Sequence, residues 1–196
     1  MKIGKESLAG MVVSLGGFTL IAGLLLGLIH NITLEPIEEA ARRSEVEAIE
    51  SVVPEFTNDP SASAVEVDVD GVPMMVYPAM NGGNLVGAAV KSYSDEGFSG
   101  RIDVMFGFDA EGRVTGYAVL SHAETPGLGA KMDTWFRSEE GNRSVLGLDP
   151  SRRKAFVAKD GGDVDGITAA TITSRAFLGA LRRAADAFAI YKDSKQ

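Results

Sequence analysis

The sequence predicts an α+β protein, an antiparallel sheet with packed helices behind a single N-terminal transmembrane helix. Three observations lead there. Ser7 to Ile29 is an apolar run without a charged side chain. Between Ala64 and His122, strand-like stretches alternate with turns rich in Gly, Pro and Asn. From Ser174 to Tyr191, apolar residues recur at helical spacing.

The first run, taken as a span over 7–30, is long enough to cross about 30 Å of hydrocarbon as a helix. A secretory signal would have a shorter apolar core and a small-x-small cleavage site, and "GLIHNITLEP" offers none. Lys2 and Lys5 lie in the preceding segment 1–6, whereas Glu35, Glu38 and Glu39 follow the span, with Arg42 and Arg43 further on. The positive-inside rule then predicts a cytoplasmic N-terminus and a domain outside the cytoplasm. Gly23 and Gly27 form a G-x-x-x-G pair. Such a pair is either a helix-packing face or the ordinary glycine content of a membrane helix.

Residues 31–59 read as a connecting helix and linker. Ile37, Ala41, Ile49 and Val53 recur among acidic residues, with Pro36 suited to a first turn and Pro54 ending the pattern. The remainder, 60–196, reads as one domain. Val65, Val67 and Val69 alternate with acidic residues as a half-buried strand does. "MMVYPAM", "LVGAAVKSY", "GRIDVMFGFD" and "VTGYAVLSH" continue as strands. Short turns join them, except for "SDEGFSG", which reads as a flexible connection. Successive strands with short turns pair antiparallel. "KMDTWFRSEE" reads as helical and "KAFVAKD" as a further strand. The last helix carries Phe177, Leu181, Ala184 and Phe188 on one stripe, with Arg182 and Arg183 opposite.

Composition narrows the function. With 19 Lys and Arg against 27 Asp and Glu, the net charge is −8, which argues against nucleic acid as a partner. The absence of cysteine excludes disulfides, thiolate metal sites, thiol nucleophiles and a lipoprotein anchor. His30 and His122 are too few for a multi-histidine metal site. "GDVDG" and "VDVDG" hint at calcium, but the positions where an EF-hand needs glutamate hold Ile172 and Tyr77. No metal site and no side-chain catalytic constellation is expected.

Two stretches remain as candidates. "SHAETPGLGAKMDTWF" places Pro126, Gly127 and Gly129 together, a turn that brings backbone close to something. Glu124 and Thr125 offer hydrogen bonds there, and Leu128, Trp135 and Phe136 apolar contact. On composition alone it is also a plain surface loop, and His122 a structural histidine. "VDGITAATITSRA" crowds hydroxyls at the start of the last helix. Thr173 or Ser174 would cap that helix, and its first amides suit a phosphate near Thr171.

Both stretches resemble one family. Asp165-Gly166-Ile167-Thr168-Ala169-Ala170-Thr171 is similar to the D-x-x-[ST]-G-A-T flavinylation motif of FMN-binding domains. Those domains occur in the G subunit of the Rnf ion-translocating electron-transport complex and the C subunit of the sodium-pumping NADH:quinone reductase. His122 to Gly129, "HAETPGLG", resembles the family's second signature. The motifs agree in order and spacing, and the chain length resembles that of the Rnf protein. Ala169 departs from the family's glycine.

The resemblance implies FMN joined through its phosphate to Thr171 by a flavin transferase that uses FAD and recognises Asp165 and Thr168. It further implies Glu124, Thr125, Gly127 and Leu128 beside the ring, Thr168, Ala169, Ala170 and Thr173 near the phosphate, and Lys131 countering its charge. The implied function is electron transfer within a bacterial cytoplasmic-membrane complex coupling ferredoxin and NAD oxidoreduction to ion transport. The implied partners are the other subunits of that complex, including another flavin-bearing membrane protein. The equivalent quinone-reductase protein and a membrane-tethered binding or sensor module without redox function are the alternatives.

Overall fold

The computed structural model describes residues 8–195. Segment 1–6, with Lys2 and Lys5, and Ser7 lie outside them. Helix α1 (Leu8–Val52) runs for 45 residues. It is long and apolar enough to cross a membrane. Pro36 lies inside this helix rather than in the first turn of a second one. Proline removes one intrahelical bond, but Ala- and Glu-rich sequence follows it and favours helix.

Contacts divide the chain after Arg43. The unit from Ser44 onward is built on a five-stranded sheet in the order β1-β2-β3-β4-β5. The strands are β1 (Val65–Val69), β2 (Val72–Asn81), β3 (Asn84–Gly97), β4 (Gly100–Asp109) and β5 (Val114–His122), and every neighbouring pair is antiparallel. "SDEGFSG" is not a flexible connection: β3 continues to Gly97, which pairs with Gly100. Only Phe98 and Ser99 turn the chain there. "KAFVAKD" forms no strand. Val157 makes only an isolated parallel bridge to Val164, across a 3-10 turn at Ala158–Asp160 and Gly161 at φ 80°.

One face of the sheet packs on α3 (Thr171–Asp193), a helix of 23 residues. The stripe of Phe177, Leu181, Ala184 and Phe188 is buried there as its spacing predicts. Phe177 stacks on Phe136 at 4.3 Å and meets Tyr117 edge-on at 5.0 Å. Arg182 and Arg183 do not point to open solvent. Both are half-buried and donate to carbonyls, Arg182 to Ala155 at 2.7 Å and Arg183 to Tyr93. Their long apolar stems cover core while the charge finds backbone oxygen. "KMDTWFRSEE" is helical only in a 3-10 turn at Gly129–Lys131 and the one-turn α2 (Met132–Trp135). Tyr117 ties α2 to the sheet by donating to Met132 O at 2.7 Å. Burial is the main influence on its phenol, which is pushed up to about 12, so the donor persists at any physiological pH.

The opposite face packs on the end of α1, where Ala48, Ile49 and Val52 join Tyr77, Ala89 and Met105. Glu45 accepts hydrogen bonds from Tyr77 and Lys91 across this contact. Burial raises the Glu45 carboxyl, but those bonds outweigh it and hold the group below its ordinary value. Gly107 allows the helix end to come close. A Cβ there would overlap Val52 O and lie 2.8 Å from Thr115 Oγ1. Gly107→Ala is therefore expected to lower stability by about 1–3 kcal/mol, the usual range for overpacking. Urea denaturation checks this, and an unchanged midpoint would contradict the close approach.

Candidate functional site

The tip of the β3–β4 hairpin, the loop leaving β5 and the start of α3 meet at one end of the sheet. Glu124 joins all three. It is 5% exposed. Its Oε1 accepts the Ser99 N–H at 3.0 Å, and its Oε2 accepts the Thr173 hydroxyl at 2.6 Å. Its own N–H donates to His122 Nδ1 at 3.1 Å, which gives His122 a structural role. A buried carboxylate needs this kind of satisfaction to be tolerated. Gly129 and Gly97 make room for it. A Cβ on Gly129 would overlap Glu124 Oε2 and lie 2.7 Å from Thr173 Oγ1, and one on Gly97 would lie 2.8 Å from Glu124 Oε1. The close backbone approach that the glycine-rich loop predicts is thus an approach to Glu124.

A cleft of about 310 Å³ opens between these segments. Glu124, Thr125, Leu128, Ala169, Ala170, Thr171 and Thr173 line it, as do Phe98, Gly129 and Ile172. Gly127, at φ 78°, turns the same loop without lining the cleft. Phe98, Leu128 and Ile172 are exposed apolar side chains at its margin. A second cleft of about 420 Å³ lies across the 165–171 segment. It is lined by Asp165, Thr168, Ala169 and Thr171 together with Trp135, Arg143 and Lys159. Lys131 lines neither cleft; it is exposed at the end of the 3-10 turn. Arg143 and Lys159 line the second cleft together with Thr171.

Helix α3 begins at Thr171, not at Ser174, and neither Thr173 nor Ser174 caps it. Its cap position is Ala170, with no side-chain hydrogen bond to the first turn. Thr173 is turned to Glu124, and Ser174 Oγ accepts the Ile167 N–H at 2.8 Å while donating to Ala170 O at 2.9 Å. The hydroxyls that read as caps brace the approach to the helix instead. Alanine is a poor cap, so the first-turn amides and the positive end of the helix dipole remain available to an anion. Thr171 is half-buried, stands between the two clefts, and makes no side-chain hydrogen bond among the described residues. An unpartnered hydroxyl, an uncapped helix start and a hollow with apolar margins fit a phosphate-bearing flavin.

Ala169 has φ 63°, in the left-handed region where glycine is favoured. It is exposed, so its methyl meets no crowding from the core. Its penalty is conformational, about 1–2 kcal/mol. Glycine would remove that penalty and add a smaller loss of unfolded-chain entropy. Ala169→Gly is expected to melt at the same temperature or slightly higher and to keep its flavin loading. A clear fall in either would contradict a purely conformational effect.

The family model for an FMN-binding domain matches residues 97–186. That stretch includes every residue assigned above to the two clefts. The G subunit of the ion-translocating oxidoreductase complex of Shewanella loihica is 33% identical over 190 residues, 91% of this chain and 88% of its own length. The protein of the same name from Shewanella amazonensis is 36% identical over 180 residues, covering 86% and 82%. That of Cereibacter sphaeroides is 36% identical over 176 residues, covering 86% and 78%. The chain belongs to this G-subunit family. The matched stretch begins at the last residue of β3 and ends within α3, so β1, β2 and the rest of β3 lie outside it. Similarity to the G subunit over nearly the whole chain favours this family over the related quinone-reductase protein.

Proposed function

We propose that this chain is the FMN-bearing electron-transfer subunit of an ion-translocating oxidoreductase complex, with the flavin held through a phosphate ester on Thr171. One observation carries the assignment of the residue. Thr171 presents an unpartnered, half-exposed hydroxyl at the uncapped start of α3, between a cleft with apolar margins and one that carries Arg143 and Lys159.

Attachment follows from that placement. Thr171 Oγ forms a bond to the flavin-side phosphorus of FAD. The pyrophosphate P–O bond breaks, AMP leaves, and the hydroxyl proton passes to a base of the flavin transferase. The new ester keeps one negative charge, which the first amides of α3 and the two cations stabilise. Leu128, Ile172 and Phe98 provide apolar surface for a ring system, and the buried Glu124 fixes the three segments around it. Bound FMN supplies redox chemistry that no side chain here provides. A covalent link suits a domain outside the cytoplasm, where a lost flavin is not readily replaced.

The span in α1 fixes the domain to the membrane, with the N-terminus in the cytoplasm. The run from Ser7 to Ile29 has no ionisable side chain and offers no ion path. Ion movement therefore falls to the other subunits, one of which carries flavin as well. The chain, produced with a flavin transferase, should give a band fluorescent under ultraviolet light on a denaturing gel. A dark band would reject the covalent assignment.

A further inference from the structure

We infer that Asp165 serves flavin attachment as a positioning residue, clamping the Thr171 segment to the backbone of Asn142, so that the 141–143 turn is itself a determinant of modification. This rests on Thr171 being the attachment point.

Asp165 is held from two directions. Its carboxylate Oδ2 accepts the Asn142 N–H at 2.9 Å, and its own N–H donates to Asn142 O at 2.8 Å. Its carbonyl accepts the Trp135 indole N–H at 2.9 Å. The turn is shaped for this contact. Gly141 adopts φ 61°, and a Cβ there would stand 2.9 Å from Asp165 Oδ2. Arg143, at the other end of the turn, lies over the Trp135 ring at 4.1 Å, so the turn, the indole and the clamp form one connected unit.

The segment after Asp165 divides by exposure. A Cβ at Gly166 would lie 2.9 Å from Val157 Cγ1, Ile167 is buried, and its N–H is bound by Ser174. Thr168 and Ala169 are exposed and Thr171 is half-exposed. The loop is therefore pinned at both ends, by Asn142 before it and by Ser174 after it, and presents its middle and Thr171 outward. A modifying enzyme meets a fixed loop, and placing the Thr171 oxygen depends on the pins. Asparagine at 165 keeps an oxygen that can accept the Asn142 N–H, although it removes the charge. Alanine removes the acceptor. Gly141→Ala leaves the Asp165 side chain in place and disturbs only its seat.

The test produces the full chain with the transferase as wild type, Asp165→Asn, Asp165→Ala and Gly141→Ala. Intact mass gives the flavin-loaded fraction, and thermal unfolding gives the fold. Positioning predicts that Asp165→Asn keeps more than half of wild-type loading. Asp165→Ala and Gly141→Ala both fall several-fold below it while still unfolding cooperatively. If Asp165→Asn falls as far as Asp165→Ala, the charge is being read directly and the inference is overturned. Wild-type loading in folded Gly141→Ala overturns it equally, and Asp165→Asn decides if Gly141→Ala does not fold. A wild-type chain without FMN overturns the attachment reading itself, and this inference with it.

Discussion

Thr171→Ala is expected to remove all covalently held flavin while leaving the domain folded. The hydroxyl is the reacting group, so its loss removes the bond and not merely part of the affinity. The fold has little reason to respond. Thr171 occupies the first position of α3, is half-exposed, and makes no side-chain hydrogen bond among the described residues. A surface change of that kind shifts stability by about 0.5 kcal/mol or less. Thr171→Ser keeps a hydroxyl and should retain part of the loading. Intact mass and a melting curve on the same samples check both halves. Flavin persisting at wild-type occupancy in the alanine variant would mean that another residue carries it.

Glu124→Ala should have the largest effect on stability at the site. It leaves the buried Thr173 hydroxyl without its partner and takes the acceptor from the Ser99 N–H in the exposed turn. Each unsatisfied buried group costs about 1–3 kcal/mol. The unsatisfied Thr173 hydroxyl, with the space left behind, is expected to lower stability by roughly 3 kcal/mol. For a unit of this size that corresponds to a melting temperature about 6–12 °C lower. Three segments lose their common tie, so flavin loading should fall as well. Glu124→Gln keeps an oxygen for Ser99, and its amide can donate to the freely rotating Thr173 hydroxyl. It should recover most of the stability. An alanine variant melting within a degree or two of wild type would show that Glu124 does not join the three segments.

Much of the fold is legible in the sequence because the local signals agree with the tertiary outcome. The alternating Val65, Val67 and Val69 and the turns around Gly71 and Gly82 mark real strands and real hairpins. The helix stripe of Phe177, Leu181, Ala184 and Phe188 marks the real core face. The failures have local causes too. "SDEGFSG" carries charge and glycine, which read as a loop, yet pairing with β4 carries the strand on to Gly97. The start of α3 is misread because capping rules look for a hydroxyl or carboxylate, whereas Ala170 holds the position. Thr173 and Ser174 look like caps because a sequence does not show that Glu124 and the Ile167 amide engage them.

The site is legible in its parts and not in its assembly. Glu124, Thr125, Leu128 and Ala169 to Thr171, drawn from both motifs, line one cleft. Phe98 is visible only as an aromatic in a glycine-rich turn. Arg143 and Lys159 carry no local signal, since only folding brings them to line the same cleft as Thr171. Lys131 is close to the motif in sequence and still lines neither cleft. The clamp between Asp165 and Asn142 is likewise a product of folding.

The central claim is that Thr171 holds FMN. Peptide mapping by tandem mass spectrometry, on the full chain produced with a flavin transferase, tests it most directly. The claim predicts that the peptide containing Thr171 carries the mass of FMN less water, with fragment ions placing that mass on Thr171. An unmodified Thr171 peptide, or the same mass on Thr168 or Thr173, would contradict it.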